Sequence, residues 1–386
     1  MISLFLTVFV DLVGFGIIVP FLPFFAESLK ALPDQVTLLM TAFSLAQFVA
    51  APLWGRLSDR VGRKPVLVLT LLGLAAAYVW LAFAQTLVEL FAARIFAGLM
   101  AGNIAVAQAA AADMSTPAER PKAMGMIGAA FGLGFLVGPA LGGVLAGVKL
   151  GASVIAAPAF AAAALSTAAL LLALALLKES RPETAVGGHG KGRIESLRET
   201  FADPGLRIFI VMAFLVPLSF AGVESTMALW TERAFGWGAQ KNGYLFSFLG
   251  LIAVLTQGAL VGRLSRRARE ATLVAAGAGA AVIGLLLVAL EPTLWPAVTG
   301  FGLIVFGVSL ATPAIASMIS RVSASSVQGT VMGASHAAQA LARILGPAAA
   351  GALFVAIGPS GPYLFGAALM AVLLALALAR RRQPLA

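Results

Sequence analysis

Residues 55–64 read GRLSDRVGRK, and they place five ionic side chains in a chain that is otherwise very apolar. Over the whole chain, 60% of the residues are hydrophobic and 11% are charged. Soluble domains are about one quarter charged, so this composition is that of a membrane protein. We therefore expect the decapeptide to lie at a membrane surface, between two apolar segments.

Apolar runs of about 20 residues, the length that spans a bilayer, lie on both sides of the decapeptide. Charge clusters and Gly/Pro breaks separate twelve predicted spans, which are numbered in chain order: 2–27, 34–57, 64–84, 87–112, 121–147, 153–177, 204–233, 239–263, 271–290, 294–319, 325–356 and 360–380. The prediction is an all-α membrane protein. The polar stretch 178–203 is predicted to be a cytoplasmic linker between an N-terminal bundle, 1–177, and a C-terminal bundle, 204–386.

Lysine and arginine residues are distributed unequally between the two predicted membrane faces. With a cytoplasmic N-terminus, Arg94 and Arg343 fall within spans, and only four of the 26 basic residues reach the outer face: Lys30, Lys149, Arg233 and Lys241. The positive-inside rule then places both termini in the cytoplasm. This asymmetry accounts for the net charge of +10 without a nucleic-acid partner.

Several functional classes are excluded by composition and by missing motifs. The chain has no cysteine and two histidines, which argues against a metal site, and no cofactor is expected. The stretch GGHGKGR, 187–193, lacks the spacing of a phosphate-binding loop, so we expect energy from an ion gradient and not from ATP. The sequence shows no nucleophile–base constellation, so we do not expect an enzyme.

The two halves of the chain resemble each other. GRLSDRVGRK at 55–64 matches GRLSRRAREA at 262–271, and GFLVGPALGG at 134–143 matches ARILGPAAAG at 342–351. The offsets of 207 and 208 residues indicate a parallel duplication of six spans, an architecture of transporters with a central cavity. The second copy has Arg266 in place of Asp59 and Arg269 in place of Gly62, which argues against an equivalent network there.

With these motifs the chain resembles the major facilitator superfamily, and within it the drug:proton antiporters that include the tetracycline-resistance efflux proteins. The motifs are DLVGFGIIVPFLP at 11–23, GRLSDRVGRK at 55–64, RIFAGLMAG at 94–102 and GFLVGPALGG at 134–143. The resemblance covers nearly the whole chain. It implies two pseudo-symmetric six-helix bundles in an integral multi-pass protein of the bacterial cytoplasmic (inner) membrane, expected to be a monomer surrounded by lipid.

The resemblance also implies that the turn between spans 2 and 3 latches the two halves together on the cytoplasmic side. The predicted latch residues are Gly55, Asp59, Arg60, Gly62, Arg63, Lys64 and Asp113. Asp113, at the end of span 4, is the expected acidic partner of the basic residues. Gly55 is expected to allow the close approach of a neighbouring helix. The alternative is that the turn only satisfies the positive-inside rule.

Glycines in span 5 form a second predicted feature. Gly134, Gly138 and Gly142 recur every four residues, so they share one helix face on which another backbone can pack closely. Pro139 is expected to bend the span. The resemblance implies that this segment, which includes Gly143, seals the interface between the halves of an antiporter. Ordinary helix packing is the alternative.

Ionisable groups within spans are costly, about 2.5–3.5 kcal/mol each on insertion scales, and are default functional candidates. Asp11 of span 1 and Arg94 of span 4 are expected to lie near each other. Glu224 of span 7 is expected to join His336 and Arg343 of span 11. These five residues are the predicted proton-coupling groups, because a carboxyl group between desolvation and a nearby cation can load and release a proton. A static structural role is the alternative.

Uncharged polar residues within the spans are the predicted substrate-binding groups, although hydrogen bonding between helices explains them equally well: Asn103, Gln108, Gln257 and Gln339. Span 9, as predicted, contains no acidic residue, whereas the tetracycline pumps carry one in that region. The predicted function is proton-coupled export of small amphipathic or drug-like molecules by alternating access. Export of a sugar, metabolite or lipid is one alternative, and a non-transporting membrane receptor or scaffold is another.

Overall fold

The structure, a computed structural model, describes residues 1–116, 119–145, 156–180, 204–322 and 328–381. Within these ranges the chain forms helices and no strands, so the predicted all-α fold class is confirmed. Residues 181–203 of the predicted linker, with GGHGKGR at 187–193, lie outside the described residues.

Twelve helical spans within the described ranges are long and apolar enough to cross a membrane. Span 1 consists of Ile2–Ile18 and Leu22–Ser28, span 4 of Leu87–Met100 and Asn103–Asp113, and span 8 of Ala239–Leu255, a π-helical turn Thr256–Leu260 and Val261–Leu264. The other nine spans are single helices: Pro33–Val61, Arg63–Phe83, Arg120–Leu145, Ala156–Leu176, Pro204–Phe235, Glu270–Leu290, Leu294–Val322, Gln328–Ala356 and Gly361–Arg381.

The spans pack into two compact units. The first unit contains spans 1 to 6 together with Thr231–Leu251, which covers the end of span 7 and most of span 8. The second unit contains span 7 up to Trp230 and the chain from Ile252 onward. In the second unit, Trp230 packs against the rings of Phe301 and Tyr363, with centroids 5.7 and 5.9 Å away.

The break in span 4 is compensated by side chains of span 2. Where the helix stops at Ala101 and Gly102, Gln47 Nε2 donates to the Ala101 carbonyl at 3.0 Å and Trp54 Nε1 donates to the Leu99 carbonyl at 2.6 Å. These bonds satisfy carbonyl groups that a continuous helix would have used. An added Cβ at Gly102 would come 2.7 Å from Trp54 Cδ1, so the close contact needs glycine.

The π-helical turn of span 8 is the second interruption of a span. Such a turn inserts one extra residue and is frequent at functional sites. Gln257 belongs to this turn, and its Nε2 donates to Ser309 Oγ of span 10 at 3.4 Å. The turn therefore presents a polar side chain to span 10 from within an apolar helix.

The glycine face of span 5 packs directly against the backbone of span 1. An added Cβ would come 2.6 Å from the Val13 carbonyl oxygen at Gly138 and 2.9 Å from the Ile17 carbonyl oxygen at Gly142. At Gly134 the same atom would come 2.7 Å from a side-chain carbon of span 1. The two helices can lie this close only because these positions have no side chain.

Another face of span 5 packs against span 8. An added Cβ at Gly243 would come 2.6 Å from Gly143 Cα and 2.7 Å from the Pro139 carbonyl oxygen, and one at Gly250 would come 2.8 Å from Leu136 Cα. The helix Arg120–Leu145 continues through Pro139. Span 5 is thus held between spans 1 and 8 within the first unit, and its predicted role in sealing the two halves stays a prediction.

We expect Gly138→Ala to lower the melting temperature of the detergent-purified protein. The added methyl group would collide with backbone atoms of span 1, and overpacking of this kind costs about 1–3 kcal/mol. Gly128→Ala is the matched control on the same helix, because a Cβ there meets no atom within 4 Å. Equal melting temperatures for the two variants would contradict the packing described for spans 1 and 5.

Candidate functional site

Asp11 is a buried carboxyl group of span 1 with uncharged hydrogen-bond partners. Asp11 is 9% exposed, and its two carboxylate oxygens accept hydrogen bonds from Ser166 Oγ at 3.1 Å and Asn103 Nδ2 at 3.4 Å. Asn103 begins the second helix of span 4, so the break in that span places its amide beside Asp11. Asn103, predicted to bind substrate, therefore contacts the carboxyl group in this structure.

Arg94, 1% exposed, lies on the first helix of span 4. Its guanidinium carbon is 4.4 Å from the centre of the Phe43 ring, a cation–π contact, and its Nε and Nη2 have no hydrogen-bond partner among the described residues. Buried Tyr78 lies within electrostatic range of both Asp11 and Arg94. The ion pairs found among the described residues do not include Asp11 with Arg94.

Glu224, His336 and Arg343 form a second polar group, inside the second unit. Half-buried Glu224 lies within electrostatic range of Arg343, and Arg343 acts on His336 in the same way. These three residues were expected to come together, and the structure places them near one another. Their part in proton coupling stays a prediction.

A cavity of about 280 Å³ lies within the second unit, among spans 7, 8, 10 and 11. Its size is near the lower end of the range for small-molecule sites, and its lining is mainly apolar, with Phe220 and Met332 as large members. Pro217 and Pro313, both inside helices, also line it. Five polar side chains reach this cavity: Gln257, Thr312, Ser335, His336 and Gln339.

The four residues predicted to bind substrate are divided between the two units. Gln257 and Gln339 line the cavity of the second unit, where Gln339 Nε2 also donates to Ser335 Oγ at 3.3 Å. Asn103 and Gln108 belong to the first unit, where Gln108 is exposed. Gln257 and Gln339 therefore share one cavity.

Arg63 is the centre of the polar network between spans 2 and 3. Its Nη1 is 2.6 Å from Asp59 Oδ1 and donates to Ser58 Oγ at 2.6 Å, while its Nε donates to Asp113 Oδ2 at 2.9 Å. The side chain of Arg63 is only 12% exposed. The network joins the end of span 2 to the end of span 4, with Asp113 as the acidic partner that the sequence suggested.

Glu179, which follows span 6, completes this network and was not found by sequence analysis. Its carboxylate accepts hydrogen bonds from the backbone N–H groups of Arg63 at 2.8 Å and Lys64 at 3.2 Å. It thereby caps the first turn of span 3, a role that Gly62 cannot perform because it has no side chain. Gly62 has a φ of 105°, a backbone conformation that residues with a side chain rarely adopt, which favours glycine at this position.

Two expectations about the turn need correction. The close approach expected at Gly55 is absent, because a Cβ there would meet no described atom within 4 Å. The ammonium group of Lys64 forms no ion pair with a described carboxylate. Its Nζ donates to the Leu174 carbonyl of span 6 at 2.8 Å. Exposed Arg60 lies in the same turn.

Glu27 and Glu232 form a carboxyl pair that sequence analysis also missed. Glu27 lies in the last turn of span 1 and Glu232 near the end of span 7 within the first unit, and the two carboxyl groups lie within electrostatic range of each other and of Arg233. Among the described residues, no cluster of three or more potential metal ligands occurs.

Comparison with known proteins supports this architecture. A family model described as Major Facilitator Superfamily matches residues 4–347. The chain is 31% identical over 359 residues to the class C tetracycline resistance protein of Escherichia coli, covering 91% of this chain and 88% of that protein. It is 30% identical over 341 residues to Major facilitator superfamily domain-containing protein 10 of Homo sapiens, covering 82% and 72%.

Solved structures share the fold of this chain. The crystal structure of the human organic anion transporter MFSD10 (TETRAN) superposes with a TM-score of 0.72 at 26% identity, covering 97% of this chain and 98% of that one. An inward-facing, occupied bacterial homologue of the human lysosomal transporter Spinster gives 0.79 at 15% identity, covering 100% and 96%. The chain therefore belongs to the Major Facilitator Superfamily and is an integral multi-pass membrane transporter.

Proposed function

We propose that this chain is a proton-coupled antiporter that exports small amphipathic or drug-like molecules by alternating access. The observation that carries the proposal is the buried carboxyl group of Asp11, whose described hydrogen-bond partners, Asn103 and Ser166, are uncharged. An ionised carboxylate without a counter-ion is costly inside a span. A proton that enters from outside neutralises it, and release of that proton to the cytoplasm completes one half of the exchange.

Arg94 is the second element of this proton site. Two of its nitrogen groups have no hydrogen-bond partner among the described residues, although the side chain is buried. Unsatisfied buried donors of a charged group cost free energy. We infer that Arg94 approaches the ionised Asp11 in another state of the transport cycle and withdraws when Asp11 is protonated, which couples the proton to the conformation of span 4.

The cavity of the second unit is the proposed binding place for the transported molecule. Its mainly apolar lining suits an amphipathic compound, and Gln257, Gln339 and His336 provide hydrogen-bonding groups that would orient it. The class C tetracycline resistance protein, a relative at 31% identity, is consistent with a drug-like substrate. The proposed location is the bacterial inner membrane, with both termini in the cytoplasm and a monomer as the working unit.

A second candidate is transport of an organic anion. His336 lines the cavity, and the cationic side chain of Arg343 lies within electrostatic range of both His336 and Glu224, so a cation is present near an apolar space. The solved human relative MFSD10 is described as an organic anion transporter. A transport panel of cationic, zwitterionic and anionic amphipathic compounds distinguishes the two candidates, because an organic-anion carrier would move only the anionic members.

We also propose that the network around Arg63 is a latch that favours the closed cytoplasmic side. Glu179 holds the first turn of span 3, and Arg63 ties this turn to spans 2 and 4. Docking a turn that is already fixed against another surface costs less conformational entropy than docking a mobile turn. The network would therefore lower the free energy of the state in which the turn is docked.

We expect Asp11→Asn to abolish proton movement that is driven by an imposed tetracycline gradient in proteoliposomes. The amide has the shape of the carboxyl group but cannot exchange a proton. The control is Glu291→Gln, the same chemical change at an exposed position between spans 9 and 10. Proton movement at the parent rate in Asp11→Asn would exclude Asp11 as the coupling group.

Gln257→Ala and Gln339→Ala are each expected to weaken equilibrium binding of a transported compound by about three- to tenfold, the value of one hydrogen bond. Gln240→Ala serves as control, because Gln240 is exposed at the start of span 8 in the other unit. If Gln108→Ala weakens binding and neither cavity variant does, the proposed binding place is wrong.

Glu179→Ala is expected to lower the melting temperature and the transport rate together, since loss of a helix cap costs about 0.5–2 kcal/mol. The melting temperature and transport rate of Glu179→Gln should lie between those of the parent and of Glu179→Ala, because the amide oxygen can still accept a hydrogen bond from one of the two N–H groups. Ser180→Ala tests the neighbouring position, where only the backbone contacts Glu179. A normal transport rate in Glu179→Ala would remove Glu179 from the latch.

A further inference from the structure

The turn between spans 8 and 9 contains an ion pair that sequence comparison of the two halves did not suggest. Glu270 is the first residue of span 9, and its Oε1 is 2.9 Å from Nη2 of Arg321, in the last turn of span 10. Ser317 of span 10 lies 3.4 Å from the same carboxylate oxygen. The side chain of Glu270 is 12% exposed and that of Arg321 is 64% exposed.

The internal repeat makes this pair equivalent to Arg63 and Asp113. The offsets of 207 and 208 residues, which relate the two halves, bring Arg63 onto Glu270 and Asp113 onto Arg321. Both pairs join the first residue of an odd-numbered span to the end of the span that follows it, both at 2.9 Å. Reversing both charges leaves their attraction unchanged, because the Coulomb energy depends on the product of the charges.

Helix dipoles explain why the two halves surround their pairs differently. Glu270 at a helix N-terminus and Arg321 at a helix C-terminus both interact favourably with the dipoles of their helices. Arg63 and Asp113 occupy the opposite, unfavourable ends. The first half therefore needs the carboxylate of Glu179 at the start of span 3, whereas Glu270 supplies that negative charge itself.

We propose that Glu270 and Arg321 are positioning residues that hold the turn of residues 262–270 against span 10, as a charge-reversed counterpart of the Arg63–Asp113 pair. This proposal rests on the proposed function, because a positioned turn contributes to transport only in a carrier that alternates between states. The replacement of Asp59 and Gly62 by Arg266 and Arg269 then removes the accessory contacts of the first-half network and keeps its central pair.

Amide hydrogen exchange on the full-length protein in lipid nanodiscs tests the proposal. Arg321→Gln is the first variant, because its exposed side chain can be replaced without opening a core. We expect exchange in peptides covering 264–273 to become about two- to fivefold faster, the value of a partly exposed ion pair. Glu270→Gln should have the same effect, and peptides covering 55–64 in the same samples should be unchanged.

The double variants decide whether the two residues act as a pair. The increase in exchange rate in Glu270→Gln/Arg321→Gln should be smaller than the two single effects combined, because the ion pair can be lost only once, whereas each charge loses its own helix-dipole interaction separately. Glu270→Arg/Arg321→Glu should recover part of the protection, limited by the reversed helix dipoles. Additive effects of the two single changes, or no recovery in the charge swap, would overturn the proposal.

Transport measurements separate this proposal from the proposed function. Arg321→Gln should lower tetracycline-driven proton movement in proteoliposomes, and Arg321→Lys, which keeps the charge, should restore it. Faster exchange with a parental transport rate in Arg321→Gln would overturn the positioning role. If the unsubstituted protein moves no member of the panel of cationic, zwitterionic and anionic amphipathic compounds and no protons, the proposed function fails, while the exchange data still decide whether the ion pair holds the turn.

Discussion

The hydrocarbon interior of a bilayer offers no water to a backbone N–H or C=O group, and this constraint governs where the chain can leave helical geometry. The break in span 4 exists because Gln47 and Trp54 donate to the two carbonyl groups that it frees. In return, the break places Asn103 against Asp11. An interruption that requires compensation thus brings a polar side chain to the one buried carboxyl group of span 1.

Much of the fold could be predicted from sequence, because length and apolarity are sufficient signals for a membrane span. The ion pair between Arg63 and Asp113 was also predictable, since both are charged residues at neighbouring helix ends. Glu179 was not: it lies 116 residues from Arg63 along the chain, and it acts on backbone groups that carry no sequence signal. The close helix contact expected at Gly55 was wrong, because a sequence motif does not show that the space beside this residue is open.

Comparing the halves residue by residue also concealed an equivalence that depends on charge. Glu270 and Arg321 differ in identity from Arg63 and Asp113, and predicted span 9 began one residue too late to include Glu270. What the repeat preserves is an attraction between two helix ends, not a pair of residue types. The two halves reach it with opposite polarity, and the half whose charges oppose the helix dipoles acquires an additional carboxylate.

The π-helical turn at Thr256–Leu260 has a consequence for the remainder of span 8. Each residue of an α-helix advances the chain by about 100°, so one surplus residue rotates everything that follows it relative to what precedes it. Side chains before and after the turn that would lie on one face of a regular α-helix therefore lie on different faces of span 8. A deletion of one residue here would shorten the helix by little, yet it would change which side chains this part of span 8 presents to span 10.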